Sequence, residues 1–446
     1  MTTPVYDFVS DYVKQNPLRL HMPGHKGTGP LGCEPWDLTE IPGADALYQD
    51  RGILRESQEN AAALFGSGAT LYSAQGSSLC VRAMLFLALT WANRRGKSPR
   101  IAAGRNAHSS FLSGVALLDL PVDWLWGDGL LTYTPDLTEL ESLLSGPQPP
   151  AAVYLTCPDY LGNLPHLAPV AALCHRYGAL LLVDNAHGAY LKFLDPSRHP
   201  LDQGADLCCD SAHKTLPVLT GGAYLHISRE APVELAENAR RAMALFASTS
   251  PSYLILQSLD LCNRYLQEGY PQKLAAFLEK MLPVREKLVR LGWTLLGDEP
   301  LKLTLSPKGR GYTGEELARL LAQKGLVAEF ADPDYLVLML SPEWGGEEPD
   351  RLLDPLTALP VRPPIPHTPP RLTRPRRVLT PRQALLSPQE EIPVEQALGR
   401  VLGSPQVSCP PAVPILVCGE AFDPSALAAF AYYGRETCLV VQKNHF

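Results

Sequence analysis

A carboxylate and a lysine lie thirty residues apart, each at the end of an apolar run. Asp184 closes the apolar part of ALLLVDNAHGAY, and Lys214 follows ADLCCDSAH. In open α/β sheets ligands bind beyond the carboxyl ends of the strands, so polar residues behind such runs are where chemistry is expected. A lysine and a carboxylate at neighbouring strand ends suit pyridoxal phosphate (PLP). The lysine forms a Schiff base with the aldehyde, and the carboxylate keeps the pyridine nitrogen protonated so that the ring accepts electrons. The lysine must lose its proton to react, which partial desolvation and neighbouring cations favour. His213, next to it, is a candidate for holding the phosphate. Singly, Asp184 reads as a helix N-cap and Lys214 as a solvated surface lysine. The shared strand-end position and the spacing are what join them.

PLP also needs a phosphate cradle. Gln75-Gly76-Ser77-Ser78 precedes a strongly apolar helical pattern. Gly76 lets the backbone approach, while the first helical N–H groups and the hydroxyls of Ser77 and Ser78 can hold a phosphate. The same residues also read as an ordinary serine N-cap. His108, in GRNAHSS behind another apolar run, offers a flat aromatic face for the pyridine ring. A hydrogen-bonded loop histidine is the plainer reading. His21 and His25 are four apart, but Pro23 and Gly24 lie between them and break the helix a metal pair would need. No metal site is expected.

These residues must be positioned by a sheet. Arg100–Ala103, Val122–Trp126, Ala151–Thr156, Ala179–Val183, Ala205–Asp210 and Gly222–Ile227 read as strands. Helical stretches such as Leu137–Leu144 and Leu167–Tyr177 alternate with them. Fully apolar strands alternating with helices predict a mostly parallel sheet covered on both faces. From Glu234 to Leu291 the pattern is helical, and its pair Arg240-Arg241 reads as a solvated helix face. Trp293–Leu305 and Val327–Leu340 suggest a smaller α+β unit. Prolines number 43, and seven fall in LPVRPPIPHTPPRLTRPR, Leu359 to Arg376. No helix or central strand can pass through that segment, which reads as an interdomain linker. Beyond it, Pro393–Leu402 reads as a short helix, and Ile415–Val417 and Cys438–Lys443 as strands. The expected division is an arm over residues 1–48, a large domain over 49–290, a small α+β segment over 291–358, the linker over 359–376 and a C-terminal domain over 377–446.

Composition narrows the function. With 446 residues, 46% of them apolar, the chain can bury a large core. A net charge of −7 argues against nucleic acid as the main partner. The N-terminal MTTPVYDFVSDYVKQN lacks a secretion pattern. The longest apolar run, near Val81–Ala92, carries Arg82 and is too short to span a bilayer. Ten scattered cysteines suit a reduced, cytoplasmic protein.

Taken in order, these stretches resemble the Orn/Lys/Arg decarboxylases, PLP-dependent transferase-fold enzymes (fold type I, aspartate aminotransferase-like) with a mostly parallel large-domain sheet and a small α+β C-terminal domain. LHMPGHKG (Leu20–Gly27) is similar to the family's opening, and Asp37–Gly66 to the stretch that follows it. Gln75–Ser78, Arg105-Asn106-Ala107-His108, VDNAHGAY and SAHKTL resemble its cofactor-binding elements. STSPSYLILQSLD (Ser248–Asp260) resembles its T-S-P segment, and TPRQALLSPQEEIPVEQALGRVLGS with CPPAVPILVCGE its C-terminal signature. The chain looks like the short form, without the N-terminal wing domain.

The resemblance implies roles. Lys214 would carry PLP, Asp184 would pair with the ring nitrogen and His108 would stack on the ring. Ser77, Ser78, Ser211 and His213 would bind the phosphate. Thr249 and Ser250 would reach the phosphate of a partner subunit, making the protein a homodimer with shared sites, or a higher oligomer. His187 would lie near the ring on the substrate side. The implied reaction is decarboxylation of arginine, lysine or ornithine to the corresponding amine. Such a substrate has a cationic far end, for which Glu420 is a candidate partner. Other fold type I reactions, transamination or aldol cleavage, and a PLP-binding paralogue without turnover stay open. Asn185 stands where the family usually has Glu and Tyr190 where His is common. Ser109, Cys409 and Ala412 depart as well, and Thr156–Tyr160 is a loose version of a family loop.

Overall fold

The computed structural model describes residues 1–49, 51–127, 133–344, 346–404 and 413–445. Two compact units are present, each assembled from separate stretches of chain. The first holds Met1–Ile101, Glu141–Cys157 and His166–Gln272; the second holds Ala102–Leu140, Pro158–Pro165 and Lys273–Phe446.

Seven strands form where the α/β pattern falls: β1 (Ala69–Ser73), β2 (Ile101–Gly104), β3 (Val122–Leu125), β4 (Ala152–Thr156), β5 (Leu180–Asp184), β6 (Leu207–Asp210) and β7 (Ala223–Ile227). Six match the predicted apolar runs. β1 does not, because ATLYS has no long apolar run and is defined by antiparallel pairing with β7. Within the first unit the order is β1-β7-β6-β5-β4. β4, β5 and β6 are parallel, while β7 runs antiparallel to β6. Every residue of β5, β6 and β7 is buried, at roughly 1.5–3 kcal/mol for each large apolar side chain. The register sets Thr156 opposite Asp184 and Asp184 opposite Cys209, so these strands end level with one another.

The helices of this unit begin with α1 (Pro4–Gln15), α2 (Ile53–Phe65) and α3 (Gly76–Arg94). α3 packs on β6 and β7 and against the helix Val233–Phe246. Thr3, the N-cap of α1, makes no side-chain cap bond. Asp260 supplies one from elsewhere: its Oδ2 accepts from Val5 N (2.9 Å) and Tyr6 N (3.0 Å), and its Oδ1 accepts from Ser57 Oγ. Burial pushes this carboxyl up to about 6. A carboxyl whose folded pKa is raised contributes stability at low pH and loses it as pH rises through that value. Wild type is therefore expected to lose on the order of 1–3 kcal/mol relative to Asp260→Asn between about pH 4 and 7. Urea denaturation of both proteins across that range measures it.

In the second unit β2 and β3 lie side by side. The small unit expected after the long helices is a four-stranded antiparallel sheet of β8 (Thr294–Leu296), β9 (Lys302–Ser306), β10 (Phe330–Ala331) and β11 (Leu336–Met339), in the order β10-β11-β9-β8. A C-terminal ribbon pairs β12 (Gln389–Pro393) with β13 (Thr437–Val441). Two expectations fail here. Pro393–Leu402 is not a helix: only Val394–Gln396 forms a 3₁₀ turn, and Gly399 at φ +73° turns the chain back. Ile415–Val417 is buried but is no strand, because the Val417 N–H goes to the Glu420 carboxylate rather than to a ladder. A helix the pattern did not suggest, Pro424–Tyr432, starts where Asp423 accepts from Ala426 N (2.8 Å).

The proline-rich segment has no regular structure over residues 360–376, as its missing donors require. It is not a free joint. Lys308 Nζ donates to His367 O (2.6 Å), Ile365 N to Lys308 O (3.0 Å) and Tyr312 Oη to Pro360 O (2.7 Å). Both flanks belong to the same compact unit.

Candidate active site

The loops behind β5 and β6 carry the chemistry. Asp184, the last residue of β5, is 3% exposed. Its Oδ2 accepts from Tyr154 Oη (2.9 Å), while its Oδ1 accepts from Ala186 N (3.2 Å) and lies 3.6 Å from Cys209 Sγ. Burial, then the nearby Asp184 charge, holds both Tyr154 and Cys209 well above their usual ranges, so both keep their protons and donate. Asp184 ends a strand and is not a helix N-cap. The chain then turns tightly, with Gly188 N bonded to Asn185 O (2.8 Å). A Cβ at Gly188 would fall 2.0 Å from Asn185 Oδ1, so a larger residue would displace the Asn185 side chain. This turn presents buried His187, whose Nε2 lies 3.1 Å from Lys214 Nζ.

Lys214 sits on a short helix, Ala212–Thr215, that starts directly behind β6. It is exposed, so the expected desolvation of this lysine is not present within the single chain. His213 spends Nδ1 on Gly222 O (3.0 Å).

Ser211 Oγ donates to Ser77 Oγ (2.8 Å), which joins the loop behind β6 to the start of α3. Gly76 opens α3 at φ +69°, its N–H bonded to Gly221 O (2.7 Å). Ser73 Oγ braces this turn by donating to Gly76 O and accepting from Gln75 N. Gln75, the N-cap of α3, makes no side-chain cap bond. Asp184, His187, Ser211, Lys214 and Ser77 thus converge at the strand ends of one unit, with Ser78 one residue along. Thr249 and Ser250 lie on an exposed loop between the helices Val233–Phe246 and Tyr253–Gln267.

His108 belongs to the second unit. It caps helix α4 (Ser109–Leu118), its Nδ1 accepting from Ser110 N (3.2 Å), and it is exposed. Glu420 requires a correction. It is 2% exposed and forms a bidentate pair with buried Arg105 at 2.6 and 2.8 Å. Arg105 also lies over the Trp126 ring at 4.5 Å. A carboxylate neutralised this way is not available to a substrate cation. Glu420→Gln leaves a buried guanidinium half-paired, and about 3–5 kcal/mol of stability should be lost, read from urea denaturation. Cys409 and Ala412 lie outside the described residues.

Sequence reasoning missed Tyr154, although a phenol inside the apolar strand AVYLT needs a partner. It also missed a buried group, His199, Cys208 and Asp210, whose candidate ligand atoms lie within 4.8 Å of one another.

Residues 131–296 match the family model described as Orn/Lys/Arg decarboxylase, major domain. An arginine decarboxylase of Halalkalibacterium halodurans is 28% identical over 96% of this chain and 92% of its own. Along most of its length the chain is similar to the Orn/Lys/Arg decarboxylase family. This is a family of amino-acid decarboxylases. A Bacillus subtilis (strain 168) relative, "Uncharacterized protein YaaO", is 29% identical over 94% of this chain and 92% of its own. The solved constitutive lysine decarboxylase of E. coli matches with a TM-score of 0.79 at 19% identity, covering 99% of this chain and 82% of that one. That likeness shows the fold, the aminotransferase-like fold type I. Among the described residues no helix is long and apolar enough to cross a membrane.

Proposed function

We propose that this decarboxylase uses PLP held by Lys214 to remove the α-carboxylate of arginine, lysine or ornithine, releasing the corresponding amine in the cytoplasm. The observation that carries the reading is the convergence of Lys214, His187, Asp184 and the Ser77–Ser211 pair at one set of strand ends. The residues fit the cofactor. A Cβ at Gly76 would meet nothing within 4 Å, so there is room for a phosphate beside the start of α3, which its N-cap Gln75 does not cap. Serine hydroxyls and the positive end of the helix suit an anion there. Ser77, Ser78, Ser211 and His213 would hold the phosphate, and Lys214 the aldehyde carbon.

PLP, when bound, takes up the electrons released as the bond to the carboxylate breaks. The chain's part is positional and electrostatic. Asp184, oriented by the Tyr154 phenol and the Ala186 N–H, would supply the carboxylate that pairs with the ring nitrogen. His187, 3.1 Å from Lys214 Nζ, can share a proton with that amine and restrain it. Fixing a bound substrate in one orientation at these residues is the effect that would lower the barrier. His108 is the residue proposed to lie on the ring, and Thr249 with Ser250 those proposed to complete the phosphate site of a partner subunit in a homodimer.

Adding PLP to the purified protein should produce a visible band of lysine-linked cofactor. Titrating arginine, lysine and ornithine in turn should perturb it, with amine appearing for at least one. A band without amine from any of the three would leave a PLP-binding protein and overturn the decarboxylase reading.

A further inference from the structure

A buried polar network lies in the same unit as the site and is used by none of its proposed chemistry. Asp210, the last residue of β6, is fully buried. Its Oδ2 lies 3.1 Å from His199 Nε2 and 3.2 Å from His226 Nε2, and its Oδ1 accepts from Asn185 Nδ2 at 2.6 Å. The far-side nitrogen settles the tautomer of His199. His199 Nδ1 accepts from Leu201 N, so its Nε2 carries the proton. His226 Nδ1 meets Thr70 Oγ1 at 2.8 Å, which in turn meets Ser67 Oγ at 2.7 Å. Burial lowers the His226 pKa, in keeping with a neutral ring whose Nε2–H points at Asp210. Two neutral imidazoles and one amide thus donate to one carboxylate. Phe65 packs on both imidazoles, with ring centroids 4.4 and 5.6 Å away.

The placement gives the network its meaning. Side chains alternate along a strand, so Cys209 faces Asp184 while Cys208 and Asp210 face the opposite side. Asn185 follows Asp184 in the chain, and Asp210 precedes Ser211. The 185–210 bond therefore ties together the two loops that carry Asp184 and His187 on one side and Ser211 and Lys214 on the other. It also accounts for Asn185 where the family usually has Glu: a second carboxylate facing Asp210 would bury two like charges, whereas an amide donates.

We propose that Asp210 is a positioning residue that, held by His199 and His226, locks Asn185 and so fixes Asp184 and Lys214 in register for the cofactor. This rests on the reading of Lys214 as the PLP lysine. Asp210→Asn keeps the shape but turns an amide donor toward the Asn185 amide or a histidine N–H. Losing a charged hydrogen bond of this kind corresponds to about 10- to 100-fold.

The experiment measures PLP dissociation by equilibrium dialysis, visible circular dichroism of bound PLP, and the melting temperature of the PLP-free protein. Asp210→Asn should bind PLP about 10- to 100-fold more weakly and with altered circular dichroism. Exchanging both partners, Asp210→Asn with Asn185→Asp, should recover part of that loss. His226→Gln, which can keep an N–H donor, should stay near wild type in affinity and circular dichroism, whereas His226→Leu should not. That pair carries the test if Asp210→Asn does not fold. Wild-type PLP affinity and circular dichroism in folded Asp210→Asn, or equal loss in both His226 variants, would overturn the proposal. So would stoichiometric metal in the purified protein, since the histidines would then be ligands. A wild-type protein that forms no visible band would instead overturn the PLP reading itself.

Discussion

Lys214→Ala is expected to abolish amine formation, with kcat lower by roughly 10⁴-fold or more, the scale met when a covalent catalytic group is removed. It should also remove the visible band of lysine-linked PLP, since Lys192, which follows β5, is paired with Asp202 at 2.7 Å. The fold should survive, because Lys214 is exposed and its short helix is held by backbone bonds such as Lys214 N to Ser211 O (3.0 Å). The outcome to look for is loss of both signals with an unchanged melting temperature of the PLP-free protein. Retained turnover would mean that Lys214 is not the cofactor lysine.

Asp184→Asn is expected to have the second largest effect. The amide keeps the shape and can still accept from Tyr154, but the negative charge is gone. Without it the ring nitrogen has no partner that keeps it protonated, and the electron acceptor is lost. A fall in kcat of about 10²–10³-fold is expected, the range for removing a preorganised electrostatic contact, with KM changed far less. Tyr154→Phe, which removes one of the hydrogen bonds to the same carboxylate, should cost about 10-fold or somewhat more, as a bond to a charged group does. Equal effects of the two variants would argue that Asp184 acts only by packing.

The strand ends were legible because burial leaves a plain mark. A parallel sheet covered on both faces needs continuous apolar runs, and a polar residue right behind one stands out. Asp184 and Lys214 stood out this way, whereas the Gly76–Ser78 turn stood out by preceding an apolar helix; the structure gathers Asp184, Lys214 and Ser77 at one set of strand ends. Glu420 was misread because its partner Arg105 is 315 residues away and nothing local records the pairing. Asp210 was absorbed into the strand ADLCCD, although an ionised carboxylate inside an apolar run calls for donors. Those donors, His199 and His226, come from a loop and a neighbouring strand. The C-terminal region misled for a different reason: short segments rich in Gly and Pro follow turn geometry and isolated bridges rather than hydrophobic period.

Lys214 is proposed to serve the decarboxylation of a basic amino acid. The most direct test of this role supplies PLP-loaded protein with arginine, lysine or ornithine labelled at the carboxyl carbon and counts labelled CO2 against free amine. Equal amounts of both are expected from at least one of the three, and neither from Lys214→Ala. A keto acid with the label retained, or equal turnover by wild type and Lys214→Ala, would contradict it.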